Sequence, residues 1–267
     1  MSEDRVLYDQ DGAVVTLTLN RPEELNAFSE AAMIDAFEAA LIRYRDDPSA
    51  RCAILTGAGR AFSAGGNVKH MRDRTDMFAG TAADIEKAYV DGPQRIPAVF
   101  WPLEKPVIAA VNGPAYGIAL DLVCMSDIRI ASTEAKFGAP FTRIGIAPGD
   151  GAAWFLTRVV GSAVAAEMIL TADPLDAERA RQVGLVSRVT SPDDLLPAAR
   201  AMADRVAGNA PLAVALSKRL LRKAPEQDLD THLKLCAAYQ ALLHGTEDHI
   251  EAVTALLEKR PPDFKGC

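Results

Sequence analysis

Apolar residues along the chain follow two different periods. In AVVTLTLN (13–20) they alternate with polar residues, and with VLYD (6–9) this run flanks Asp11-Gly12, which predicts a β-hairpin. CAILTG (52–57) and VIAAVNG (107–113) are unbroken apolar runs ended by glycine or Asn-Gly, and they predict short buried strands. From Ser29 onward the spacing changes. Met33, Phe37, Ala40 and Leu41 recur as on one face of a helix, and residues 82–100 carry a second helical pattern. GIALDLVCM (117–125) predicts a short helix, and DIRIAS (127–132) a strand. GAAWFLTRVVG and SAVAAEMIL predict consecutive helices, and DAERARQVG another. After VSRVTS (186–191) the pattern is helical to about residue 260. Strands before about residue 190 and helices after it predict an α/β core with a helical tail. The rhythm within the core suits stacked ββα turns better than a plain Rossmann sheet.

Composition narrows the class. At 267 residues, 49% hydrophobic and 24% charged, the chain is long enough for one large α/β domain with a substantial core. A net charge of −7 argues against a dedicated nucleic-acid binder. Cys52, Cys124, Cys236 and Cys267 lie far apart, so neither a disulfide framework nor a zinc site is expected. The N-terminus MSEDRVLYDQDG has no signal-like run, and no apolar stretch of spanning length is free of charges. The expectation is a protein of a reducing, cytoplasmic compartment with no membrane partner.

Candidate chemistry begins with an oddity. GPAYGIALDLVCM (113–125) is apolar except for Asp121, and an ionised carboxylate is costly to bury without a partner. The loop AFSAGGNVKHM (61–71) is built of small residues that let a ligand approach backbone amides, although a tight turn would use them equally well. TGAGRAF (56–62) follows a strand but lacks the third glycine of a dinucleotide fingerprint. His70, His232, His244 and His249 show no metal-ligand spacing and read as solvated residues; no metal site is expected.

Taken in order, AFSAGGNVKHM, KPVIAAVNGPAYGIALDL, SDIRIAS, AKFGAP and GIAPGDGAAW resemble the enoyl-CoA hydratase/isomerase, or crotonase, superfamily. NRPEELNAFS (20–29) resembles its first CoA-contact loop, and PLAVALSKRLL (211–221) and KRPPDFKGC (259–267) its C-terminal region. The resemblance implies a crotonase-like spiral of ββα units over residues 1–200. It implies a C-terminal helical oligomerisation region over 201–267, and a homotrimer or dimer of trimers. It also implies an acyl-CoA thioester as substrate, with no further cofactor.

Residue by residue, the resemblance implies an oxyanion hole formed by the N–H groups of Ala64 and Ile118, with Asp121 as acid/base. CoA or substrate contacts fall on Arg21, Leu25, Ala64, Gly65, Gly66, Asn67, Lys69, Gly117, Phe141, Phe264 and Lys265, with Phe264 reaching the ligand from a neighbouring subunit. The chain departs from the pattern at Phe141, where hydratases carry a second carboxylate. The nearest acid is Asp150, which can be catalytic or a helix N-cap. Arg143 is a further candidate for charge pairing, with simple exposure the plainer reading. The departure leaves hydration, double-bond isomerisation, and hydrolysis or dehalogenation through Asp150 open, beside a non-catalytic acyl-CoA-binding homologue.

Overall fold

The computed structural model describes residues 4–28 and 30–266, so Ser29 and Cys267 fall outside it. Its strands in chain order are β1 (Val6–Asp11), β2 (Val14–Leu19), β3 (Cys52–Gly57), β4 (Val107–Val111) and β5 (Ala115–Tyr116). They continue with β6 (Ile128–Ser132), β7 (Lys136–Gly138), β8 (Leu175–Asp176) and β9 (Arg188–Thr190). The helices are α1 (Ala31–Asp46), α2 (Val68–Asp73), α3 (Ala82–Asp91), α4 (Arg95–Phe100), α5 (Ile118–Met125) and α6 (Ala152–Thr171). After them come α7 (Ala177–Gln182), α8 (Pro192–Ala207), α9 (Pro211–Lys223), α10 (Leu229–His244) and α11 (Glu247–Glu258).

Two sheets organise the core. The larger has the order β1-β2-β3-β4-β6-β9, parallel from β2 onward, and the smaller has the order β5-β7-β8. Successive turns of chain place a strand in the large sheet, a strand in the small one, then a helix: β4-β5-α5, followed by β6-β7-α6. Ser63 adds a single parallel bridge to Ala115, which makes its loop an incipient strand of the small sheet. The expected ββα spiral is therefore present.

The continuous apolar runs follow from cover on both faces of the large sheet. Leu17, Leu55, Ala109 and Val111 point into the main core, whereas Cys52, Ile54, Ile108 and Ala110 point into a second layer under α8. Leu195, Ala199, Ala203 and Ala207 supply that layer from α8, so the expected boundary at residue 200 falls inside a helix that belongs to the sheet. Gly161, at φ 78° and ψ 165°, breaks α6 into the two helices expected. By length and composition α6 could cross a membrane, which the reading of apolar stretches did not anticipate; Gly161 interrupts it, and Arg158 and Glu167 lie on it. Cys52, Cys124 and Cys236 are free thiols.

The histidines lie exposed or half-buried, and two contacts they make were not expected. His70 pairs with Asp76 at 2.8 Å, and His244 meets His249 at 2.9 Å across the α10–α11 junction, because successive helices turn the two rings toward each other.

Candidate active site

The small-residue loop and the start of α5 meet because two sequence features force them together. Asn26 is fully buried at φ 56°, and its amide donates to the carbonyls of Ala58, Ala61 and Phe62. Its own carbonyl accepts the Ser63 hydroxyl at 2.7 Å, which ties the 21–26 loop to the 58–63 turn. Gly65 then presses against the next turn of the spiral. At φ 79°, a Cβ built on it would lie 2.3 Å from the Tyr116 carbonyl oxygen and 3.5 Å from Gly117 Cα, so only glycine fits.

This contact decides which amides are free. The Ala64 N–H donates to the Leu25 carbonyl at 2.9 Å, so Ala64 is not available as the expected oxyanion donor. Gly65 N–H is held by Ser63 Oγ at 3.1 Å. Gly66 N–H, two residues beyond Ala64, makes no hydrogen bond among the described residues. Ile118 opens α5, and its N–H is likewise unpartnered, as the first amides of a helix are. Gly66 and Ile118 line one cavity of about 230 Å³. Two free donors, one of them at a helix start, can take up a developing negative charge.

The cavity wall is apolar. Phe28, Met71, Phe78, Ile118, Phe141 and Ile146 are among its lining residues, and no Lys, Arg or His lines it among the described residues. Phe141 is buried, with its ring about 4 Å from a Cβ built on Gly117, so it closes the space where a second carboxylate was missing. Asp150 is the carboxylate that faces the cavity, with Oδ1 sealed from solvent and unpartnered. Burial pushes its pKa up to about 6. The capping role is not realised: α6 is capped by Gly151, which accepts the N–H groups of Trp154 and Phe155 with no side-chain bond.

Asp121 is placed differently from the expectation. It is fully buried on α5, both oxygens lack partners, and it does not line the cavity. Burial, and then the charge of Asp150, hold its pKa well above the ordinary carboxylate value. Of the two carboxylates, Asp150 is the one that lines the cavity.

The sequence matches the profile of the enoyl-CoA hydratase/isomerase family over residues 9–267. The chain belongs to that family. A relative from Syntrophomonas wolfei named crotonyl-CoA hydratase is 34% identical over 99% of both chains. A relative from Escherichia coli named 1,2-epoxyphenylacetyl-CoA isomerase is 37% identical over 98% of both. The crystal structure of an enoyl-CoA hydratase from Bacillus anthracis superposes with a TM-score of 0.92 at 30% identity, covering 98% of this chain and all of that one. The protein is an enzyme of the hydratase/isomerase type, with the crotonase-type fold.

The other residues expected of a member of this family scatter more widely. Leu25 takes φ 52° and contributes its carbonyl to the Ala64 amide. Asn67 caps α2, and Lys69, the second residue of that helix, is exposed. Arg21 is held by Glu23 and Glu24 at 2.6 Å each, with Glu30 at 3.8 Å, so an incoming phosphate would have to compete with three carboxylates. Arg143 is exposed and paired with Asp173 at 2.7 Å. Phe264 and Lys265 are fixed elsewhere: Arg51 donates to the Phe264 carbonyl at 2.7 Å, and Asp248 accepts the Lys265 N–H at 2.7 Å. Neither lines this chain's own cavity. Residues that the motifs did not indicate, Met77, Phe78 and Tyr89, enter the wall from segments with no glycine signature.

Proposed function

We propose that this enzyme moves a proton on an acyl-CoA thioester, with Asp150 as the base and the N–H groups of Gly66 and Ile118 holding the enolate oxygen. The supporting observation is the meeting, in one apolar cavity, of a single carboxylate with two unpartnered amides. Asp150 takes the proton from the carbon next to the thioester carbonyl, and the electron pair shifts onto the carbonyl oxygen. Ordinary hydrogen-bond donors at such an oxygen contribute on the order of 10²–10³ in rate each. Double-bond isomerisation fits best, because Phe141 occupies the place from which a second carboxylate would help hold water. Lys69, exposed and without an ion pair among the described residues, is a cation at hand for a CoA phosphate. The exposed face of α10 and α11 is covered in a homotrimer or dimer of trimers.

The test offers 2-enoyl-, 3-enoyl- and dienoyl-CoA in deuterated water and follows product mass. Deuterium incorporation without gain of water supports isomerisation. A gain of water as the main product would replace that reading with hydration. Absence of both would remove the enolate chemistry altogether.

A further inference from the structure

Among the described residues, Asp150 shares the cavity with one other proton-carrying side chain, Tyr89 on α3. Tyr89 is packed in place. A Cβ built on Gly149 would lie 2.6 Å from its Cε1 and 3.0 Å from its Cδ1, so one edge of the ring abuts the residue before Asp150. The same loop is pinned by Gln94, whose Nε2 donates to the Gly149 carbonyl at 2.9 Å. α3, α4 and the Asp150 loop thus form one rigid corner. Within it the Tyr89 hydroxyl makes no hydrogen bond among the described residues, to Asp150 or to anything else. Tyr89 is half-buried, so its ring is held against the loop while its hydroxyl stays open to whatever enters the cavity.

We propose that Tyr89 is the second catalytic residue of the site, the acid that delivers a proton to the distal carbon of the acyl chain. The inference rests on Asp150 acting as the base. The Asp150 carboxylate breaks the C–H bond beside the carbonyl and gains its proton. The enolate electrons then form a new C–H bond at the distal carbon with the Tyr89 proton. The resulting phenolate is returned to phenol by the proton that Asp150 holds, so both groups end as they began. Burial and the charge of Asp150 raise the Tyr89 pKa, which keeps the phenol protonated at neutral pH. An acid of that strength still protonates a carbanion readily, and transfer from the weaker-holding Asp150 resets it downhill.

The experiment compares wild type, Tyr89→Phe and Asp150→Asn with 3-enoyl-CoA in deuterated water. Two rates are read: exchange of the proton beside the carbonyl, and formation of the shifted double bond. Tyr89→Phe removes an oxygen that holds nothing in the fold, and circular dichroism checks that the fold is kept. The expected result is a loss of isomerisation of roughly 10²-fold, with KM and the exchange rate within about threefold of wild type. Asp150→Asn loses both rates. Isomerisation at the wild-type rate in Tyr89→Phe overturns the role of Tyr89 and leaves that of Asp150 standing. Equal loss of exchange and isomerisation overturns it too, because the phenol would then act only by placing Asp150. Exchange that survives Asp150→Asn overturns the underlying choice of base and the inference with it.

Discussion

Asp150 faces an apolar wall that both suits it to catalysis and costs the fold. Desolvation raises its pKa toward 6, which is nearer the working pH of a general base than an ordinary carboxylate. Activity should therefore rise with pH through about 6 as Asp150 ionises, and kcat/KM profiles would show the limb. Asp150→Asn should lower turnover by roughly 10²–10⁴-fold with acyl-CoA binding retained, which isothermal titration separates from loss of binding. The stability effect has the opposite sign. The folded pKa lies above the unfolded one, so stability is greatest below pH 4, falls as pH rises toward 6, and is level above that. Removing the charge should recover up to about 3 kcal/mol at pH 8 and nothing at pH 3.5. Melting curves of Asp150→Asn and wild type at the two pH values test this. Asp121 behaves differently because burial disfavours its charged form and it does not line the cavity. Asp121→Asn should keep turnover within about tenfold of wild type. A loss as deep as that of Asp150→Asn would place Asp121 at the reacting atoms after all.

At the scale of elements, the site depends on two loops held by buried polar contacts. Asn26→Ala strips partners from three carbonyls and leaves a β-carbon residue in a left-handed conformation, so a destabilisation of about 3 kcal/mol is expected. Chemical denaturation measures it, and a change below about 1 kcal/mol would show that the loops hold without this side chain. These contacts also explain what could be read from the chain. β3 and β4 were legible because every strand residue but Gly57 is buried, and α1 because Met33, Phe37 and Leu41 keep one face. β5, β7 and β8 are two or three residues long, too short to show any period. The loop of residues 61–71 was legible as a place where backbone is accessible. Its free amide was not, because that depends on the Leu25 carbonyl having taken the N–H of Ala64. Tyr89 was invisible for a related reason: nothing in its helix distinguishes a cavity-facing aromatic from a surface one until the contact with Gly149 is known.

At the scale of the molecule, the helical tail is firmly attached yet poorly covered. Lys218 and Arg222 of α9 bind both oxygens of Asp127 in the core, at 2.7 and 3.1 Å, so α9 is not free to swing. Beyond it, α10 buries none of its residues, and Leu229, Leu233, Ile250, Leu256 and Leu257 are between 56% and 78% exposed. An apolar face of this extent on a fixed scaffold suits the proposed homo-oligomer, since each leucine buried contributes about 1.5–3 kcal/mol. Substituting Glu at both Leu256 and Leu257 should therefore release monomers that keep the core fold, with mass read by light scattering and helicity by circular dichroism. The tail makes a sharper consequence available. Phe264 is held on the Arg51 side of its own chain and does not reach its own cavity, so a role at CoA requires a neighbour. If the neighbour supplies it, the monomeric variant should show KM raised by about tenfold or more while exchange at saturating substrate stays near wild type. Phe264→Ala in the intact assembly should reproduce the KM effect alone. A monomer with unchanged KM would confine the whole acyl-CoA site to one chain and leave the exposed leucines a purely structural seam.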